Sequence, residues 1–186
     1  MIGAAASSHK SLLVAERFLD AETTEQIEHI LYAIGDNRKI KLIICDLDDA
    51  LLRGVAAEDD ITPIFRAEGW PFGLVEALLV FRKRGGLLAI CSKNDAPQTL
   101  ERFRTIWREV LRIEDFASVR INWTSKAANV AEILRETNVL PRNALFIDDN
   151  PREVDEVRRA FPEMNFYGFD HYLWRGDILN RPEMLV

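Results

Sequence analysis

Short apolar runs, each followed by polar residues, recur along the chain. The clearest is Leu42–Cys45, which is followed directly by Asp46. A continuous apolar run of this length suits a strand that is buried on both faces of a parallel sheet. Similar runs predict four further strands, at Leu87–Cys91, Val119–Asn122, Ala144–Asp148 and Phe166–Phe169.

Helical periodicity separates these predicted strands. Apolar residues three and four positions apart predict a helix from about Gly73 to Arg84. Three more helices are expected after capping residues, which are Asp95, Ser125 and Asn150. Because strands and helices alternate with short connections, the sheet is expected to be parallel with right-handed crossovers. The predicted fold class is α/β, a three-layer α/β/α sandwich with a Rossmann-like parallel sheet.

The same pattern divides the chain into three parts. Residues 1–38 are predicted to form a helical lead-in, and residues 39–170 the α/β catalytic domain. Residues 171–186 are expected to be a C-terminal tail that packs on the core. The stretch 52–71 is interpreted as a loop or flap. Because a core helix takes up much of the chain between the first two strands, no separate cap domain is expected.

Composition restricts the class of protein further. The 186-residue chain is 48% hydrophobic and 29% charged, which is typical of globular proteins and excludes a disordered chain. A net charge of -6 argues against generic binding to nucleic acid. No apolar run approaches the roughly 18 residues of a membrane span, and no signal peptide is recognisable, so a cytoplasmic protein is expected. Cys45 and Cys91 lie in predicted buried strands, which argues against a disulfide framework.

Carboxylates follow two of the predicted strands. Asp46 and Asp48 follow the first strand, and Asp148 and Asp149 follow the fourth. The carboxyl ends of parallel strands form the ligand-binding edge of such a sheet. If the two strands are neighbours, at least three carboxylates converge and repel one another unless a proton or a cation lies between them. The four aspartates are therefore the predicted ligands of Mg²⁺, which prefers oxygen.

Polar residues after two other strands complete a set that suits phosphoryl transfer. That reaction needs an in-line nucleophile, a metal ion, donors to the phosphoryl oxygens and a proton for the leaving group. Asp46 is the predicted nucleophile, and Asp48 the predicted general acid and base. The residues predicted to bind phosphate are Ser92, Lys93, Asn94 and Lys126.

This ordered set resembles the haloacid dehalogenase (HAD) superfamily of aspartate-nucleophile phosphatases and phosphotransferases. The resemblance rests on four motifs in sequence order: Asp46-Leu-Asp48, Ser92 after an apolar strand, Lys126, and Asp148-Asp149. It implies a magnesium-dependent enzyme of the HAD type. The substrate is then a phosphorylated small molecule or a carrier-bound phosphate.

Finer details resemble the FkbH-like branch, which is associated with polyketide and related pathways. They are Asp46-Leu-Asp48 with Leu51, Ser92-Lys-Asn-Asp95, Phe116, Arg120-Ile-Asn-Trp123 with Lys126, and Phe146-Ile-Asp-Asp-Asn-Pro151 with Val157-Arg158. The resemblance covers about residues 40–165. It implies removal of phosphate from a glyceric acid phosphate and loading of the glyceryl unit on an acyl carrier protein.

Three positions depart from that branch. Ala50 replaces a threonine whose hydroxyl is expected to brace the first loop, and Arg53 changes the charge of that loop. Leu42 stands where the glyceryl-loading members carry a cysteine. An alternative interpretation is therefore a catalytically weakened domain that keeps the HAD fold for binding or scaffolding.

Two further groups of residues have open interpretations. The arginines of the helix after Asp95 form either a solvated face or a docking surface for an acidic carrier protein; they are Arg102, Arg104, Arg108 and Arg112. Three tryptophans either line the site or belong to the core; they are Trp70, Trp123 and Trp174.

Overall fold

A five-stranded parallel sheet forms the centre of the computed structural model, which describes Gln26 and residues 39–54 and 69–184. The strands are β1 (Leu42–Cys45), β2 (Leu87–Ser92), β3 (Ser118–Ile121), β4 (Ala144–Ile147) and β5 (Asn165–Phe166). Their order across the sheet is β3-β2-β1-β4-β5, and all four pairings are parallel. Strand β1 is therefore central, as its continuous apolar sequence predicts.

In residues 39–54 and 69–184, five α-helices cover the two faces of the sheet. They are α1 (Trp70–Lys83), α2 (Ala96–Trp107), α3 (Lys126–Thr137), α4 (Pro151–Ala160) and α5 (His171–Asn180). Ile43 and Cys45 of β1 pack with α1, α2 and α5, whereas Leu42 and Ile44 pack with α3 and α4. Because successive side chains of a strand point to opposite faces, β1 contributes to two separate hydrophobic cores, one on each face of the sheet. The predicted three-layer α/β/α sandwich is confirmed. No helix of the described ranges is long and apolar enough to cross a membrane.

Three of the helices begin at the residues predicted to cap them. Asp95, Ser125 and Asn150 each accept a backbone N–H from the first turn of the helix that follows, at 3.4, 3.2 and 3.0 Å. Each of these caps follows the carboxyl end of a strand. The caps therefore anchor α2, α3 and α4 at the edge of the sheet where the predicted site residues lie.

Two element boundaries differ from the prediction by three residues, and the other strand ends differ by at most one. Helix α1 begins at Trp70 and not at Gly73, because Pro71 occupies its first turn, where proline is well tolerated. The last strand is Asn165–Phe166 and ends well before Phe169. These shifts leave the topology unchanged.

The end of the chain holds a helix that the periodicity did not reveal. Helix α5 lies within the predicted tail and begins after Asp170, whose side chain accepts a hydrogen bond from Tyr172 N at 3.1 Å. Trp174 is buried in the core, which selects the core interpretation for that residue. Tyr172 and Leu173 are exposed, and these apolar surface residues obscure the helical pattern. The predicted lead-in over residues 1–38, apart from Gln26, and most of the predicted flap lie outside the described residues.

The residue that follows α3 has a left-handed backbone conformation, whose effect on stability can be tested by substitution. Asn138 follows the helix with a φ of 52° and a ψ of 38°, the left-handed conformation that asparagine and glycine tolerate. We expect Asn138→Ala to lower the free energy of unfolding by about 1 kcal/mol and Asn138→Gly to leave it unchanged or raise it. Urea unfolding of both variants measures the difference. An equal loss in both would show that the Asn138 side chain, and not its backbone conformation, matters.

Candidate active site

The predicted site residues meet at the carboxyl edge of three neighbouring strands. Asp46 follows β1, Ser92 ends β2, and Asp148 follows β4. The backbone N–H of Asp46 donates to the carbonyl of Ile147 at 2.9 Å, which extends the pairing of β1 and β4 up to the site. Strands β2 and β3 lie on one side of β1, and β4 and β5 lie on the other. Parallel sheets bind ligands where the strand order reverses in this way, beyond the carboxyl ends of the strands.

Three carboxylates form a compact cluster at this edge. One oxygen from each of Asp46, Asp148 and Asp149 lies within 4.8 Å of the other two. Asp46 and Asp148 are buried, and Asp149 is partly buried. Because little water screens them, these charges need a cation close by.

Lys126 supplies part of that positive charge. Its Nζ lies 2.7 Å from Asp46 Oδ2 and 2.5 Å from Asp148 Oδ2, and the side chain is 2% exposed. Burial acts to lower the pKa of Lys126, but the charges of Asp46 and Asp148 outweigh it and hold that pKa above its usual value. The ammonium group is therefore charged and bridges the ends of β1 and β4.

One lysine does not balance three carboxylates. Burial raises the pKa of Asp148, with a further contribution from Asp46, and the same two effects raise the pKa of Asp149. Burial and the charge of Asp46 both disfavour the ionised forms, and three carboxylates beside one ammonium group leave an excess of negative charge. Its donors are all carboxylate oxygens, the ligands that a hard divalent cation such as Mg²⁺ prefers. The residues present thus fit a magnesium ion held by Asp46, Asp148 and Asp149.

Asp48 takes part in a different contact. Asn94 Nδ2 donates to Asp48 Oδ2 at 3.1 Å and to Ser92 Oγ at 2.9 Å. Asn94 is 4% exposed, so this amide is a fixed link between the loops that follow β1 and β2. The carboxylate of Asp48 is not one of the three in the cluster, and its assignment as a metal ligand stays a prediction.

Lys93 is held by two glutamates that lie outside the sequence motifs. Its Nζ lies 2.9 Å from Glu153 Oε1 and 3.7 Å from Glu156 Oε2. Glu156 Oε1 also accepts the backbone N–H of Ala127, next to Lys126, at 3.1 Å. Helix α4 thereby fixes both the loop after β2 and the start of α3. The two acidic residues, one helical turn apart, were the available sequence signal. Phosphate binding by Lys93 stays a prediction.

The loop that departs from the FkbH-like motif is closed by its own contacts. Asp49 has a φ of 45°, and its Oδ1 accepts the N–H of Gly54 at 2.7 Å. Ala50 is fully buried, and the Arg53 guanidinium lies 4.7 Å from the centre of the Trp70 ring. The hydrogen bond from Gly54 to Asp49 therefore closes this loop. A threonine hydroxyl at position 50, where this chain has alanine, was expected to brace it.

Both cysteines are buried free thiols. Burial is the largest cause that raises the pKa of Cys45 and of Cys91, so both remain protonated. The prediction that the chain has no disulfide framework is confirmed.

Solved structures share this fold. The N-terminal part of protein BF1531 from Bacteroides fragilis, which contains a phosphatase domain complexed with Mg, is 28% identical, with a TM-score of 0.69 over 88% of this chain and 44% of that chain. The cobalt-bound deoxy-D-mannose-octulosonate 8-phosphate phosphatase from Haemophilus influenzae is 12% identical, with a TM-score of 0.54 over 78% of this chain and 90% of that chain. This chain thus spans less than half of the Bacteroides structure. No protein-family model and no curated protein matches it.

Proposed function

We propose that this chain, which has the HAD-like phosphatase fold, is a magnesium-dependent phosphatase or phosphotransferase with Asp46 as its nucleophile. The observation that carries the proposal is the cluster of Asp46, Asp148 and Asp149, with Lys126 between the two buried carboxylates of Asp46 and Asp148. Such a cluster costs folding free energy, because it concentrates like charges away from water. That cost is typical of a site that binds and transforms a charged ligand. The 28% identity to a magnesium-bound phosphatase domain supports the same activity.

Asp46 is positioned to attack phosphorus. Its Oδ1 accepts the N–H of Leu47 at 2.7 Å and its Oδ2 contacts Lys126, so both oxygens have fixed places. In the proposed reaction a carboxylate oxygen bonds to phosphorus as the bond from phosphorus to the alcohol oxygen breaks. The product is an aspartyl phosphate, and attack by water at phosphorus then releases phosphate and restores Asp46. The negative charge of the phosphoryl oxygens would be neutralised by bound Mg²⁺.

Asp48 and Ser92 have distinct parts in this reaction. Asp48 protonates the departing alcohol oxygen and later takes a proton from the attacking water. The amide of Asn94 holds the Asp48 carboxylate in place. Ser92 Oγ accepts its hydrogen bond from the same amide, so its own proton is available to a phosphoryl oxygen. Lys126 supplies positive charge beside the nucleophile throughout.

The FkbH-like motifs extend the proposal to a glyceric acid phosphate as substrate, with an acyl carrier protein as the acceptor of the glyceryl unit. The phosphatase step has a complete set of residues in this chain. The transfer step has no thiol of its own, because Cys45 and Cys91 are buried and Leu42 replaces the expected cysteine. A thioester would then form by attack of the carrier's own thiol on the acyl carbon of an acyl phosphate, with phosphate as the leaving group.

The arginines considered as a carrier-docking surface lie far from this site. Helix α2 begins at the catalytic edge and runs away from it for 12 residues, about 18 Å. Arg104, Arg108 and Arg112 line a concave surface at the distant end of that helix. A carrier docked there would have to span this distance to deliver its group to Asp46, and docking on these arginines stays a prediction.

Phosphate release from a panel of small phosphates tests the proposed activity. The panel includes glyceric acid phosphates and acetyl phosphate, each assayed with Mg²⁺ and with a chelator. We expect release with Mg²⁺ and its loss on chelation, because the excess negative charge of the cluster would otherwise repel the substrate. Release that continues unchanged after chelation would refute the role of the metal. No release from any member of the panel would favour the binding or scaffolding role.

A further inference from the structure

Trp123 is unusually exposed for a tryptophan that lies close to the site. It is 75% exposed, whereas Trp107 and Trp174 are almost completely buried. Large aromatic side chains lose much apolar contact with the protein when they face water. An exposed tryptophan beside a catalytic edge therefore points to a ligand contact.

The loop that carries Trp123 is fixed by hydrogen bonds. Asn122 and Asn129 exchange two side-chain hydrogen bonds of 3.2 and 2.9 Å, and Asn129 is 3% exposed. Asn122 Oδ1 also accepts the N–H of Thr124 at 2.9 Å, and Asn122 N donates to the carbonyl of Ser92 at 3.1 Å. The backbone on both sides of Trp123 is thus tied to the end of β2 and to α3. The exposure of Trp123 belongs to an ordered loop.

The sheet geometry gives the distance of this loop from the nucleophile. Trp123 follows β3, and β3 is separated from β1 by β2 alone. Adjacent strands lie about 4.8 Å apart, so the loop is displaced about 10 Å sideways from Asp46. Trp123 also precedes Lys126 by only three residues. It therefore stands at the rim of the site and not among the reacting groups.

We propose that Trp123 determines specificity by binding a planar or apolar part of the substrate that lies about 10 Å from the phosphoryl group. This inference rests on the proposed phosphatase function and names the substrate class more closely. A three-carbon acid phosphate extends only roughly 5 Å beyond phosphorus, given bonds of about 1.5 Å, and leaves Trp123 without a contact. The inference therefore favours, over a free glyceric acid phosphate, a phosphate monoester with a longer organic chain that ends in an apolar or planar group; a glyceric acid phosphate would reach Trp123 only as part of a larger, carrier-bound substrate.

A pair of substrates of different length tests this inference. Acetyl phosphate cannot reach Trp123, whereas 4-phenylbutyl phosphate places its ring at about the required distance. We expect Trp123→Ala to raise KM for 4-phenylbutyl phosphate about tenfold, the size of one aromatic contact, with kcat unchanged. Both constants for acetyl phosphate should stay the same, and Trp123→Phe should restore most of the loss. Leu140→Ala removes an exposed apolar residue at the opposite edge of the sheet and serves as the control.

The outcomes separate this inference from the proposed function. Equal KM values for 4-phenylbutyl phosphate in Trp123→Ala and the unmodified protein, or a parallel increase for both substrates, would overturn the role of Trp123. If the unmodified protein hydrolysed neither substrate, that result would count against the proposed phosphatase function. In that case calorimetry of 4-phenylbutyl phosphate binding decides: a Kd raised about tenfold in Trp123→Ala supports the contact. An unchanged Kd, or no binding to either protein, refutes it.

Discussion

An Asp46→Asn variant is expected to release phosphate at least about 10³-fold more slowly than the unmodified protein, since removing a nucleophile removes its covalent route. The amide has almost the same shape as the carboxylate, so an oxygen remains to accept the N–H of Leu47. The amide nitrogen then faces the ammonium group of Lys126, which is expected to shift towards Asp148 and keep that ion pair of the cluster. The loss should therefore be one of chemistry and not of folding.

Binding of beryllium fluoride together with Mg²⁺ provides a second measurement on the Asp46→Asn variant. Such a complex mimics an aspartyl phosphate, so it should raise the Tm of the unmodified protein but not that of Asp46→Asn. Asp170→Asn is the matched control, because it makes the same change in charge and asparagine still caps α5. If Asp46→Asn kept its activity, another residue would have to be the nucleophile. Equal losses in both variants would indicate a general effect of charge.

The sheet edge could be predicted because its signals are local. The apolar run of β1 and the adjacent Asp46 are contiguous, and the caps of α2, α3 and α4 are single residues with known geometry. Alternation of strands and helices then leaves few topologies for a parallel sheet. The meeting of Asp46 with Asp148 follows from one further condition, that β1 and β4 are neighbours, and the structure satisfies it.

Contacts between distant parts of the chain could not be predicted in this way. The pairing of Lys93 with Glu153 spans 60 residues, and it depends on how α4 packs against α3. The link from Asn94 to Asp48 depends equally on the relative height of two loops. Helix α5 was missed because Tyr172 and Leu173 place apolar side chains in water. The hydrophobic pattern of a sequence shows which residues are apolar, but it does not show which of them pack against other residues.

The contacts of Lys126 indicate a structural role in addition to the predicted phosphate binding. The sequence suggested a phosphate-binding lysine near the start of a helix, whereas its Nζ already contacts two buried carboxylates. The same group therefore has a structural part and a chemical part. Without substrate it offsets the charges of Asp46 and Asp148, and in the proposed reaction it is also the fixed cation beside the transferred phosphoryl group.

Replacement of this lysine is expected to be the most destabilising single change in the site. Lys126→Met keeps a long side chain for packing but removes the cation between Asp46 and Asp148. We expect the free energy of unfolding to fall by about 3–5 kcal/mol, as when one partner of a buried ion pair is lost. Urea unfolding without divalent cations measures it. Lys93→Met is the control, because its pair with Glu153 is more exposed and should contribute only about 0–1 kcal/mol.

A second substitution distinguishes loss of charge compensation from loss of packing. If the uncompensated carboxylates cause the loss in Lys126→Met, adding Asp148→Asn should recover part of it, because one buried charge is then removed. Mg²⁺ should likewise stabilise Lys126→Met, since the cation can replace the missing positive charge at the carboxylates. Strictly additive effects of the two substitutions, with no effect of Mg²⁺ on Lys126→Met, would mean that Lys126 stabilises the fold through its packing alone. Recovery by both routes would show that the same excess of negative charge that destabilises the empty site attracts its metal ion.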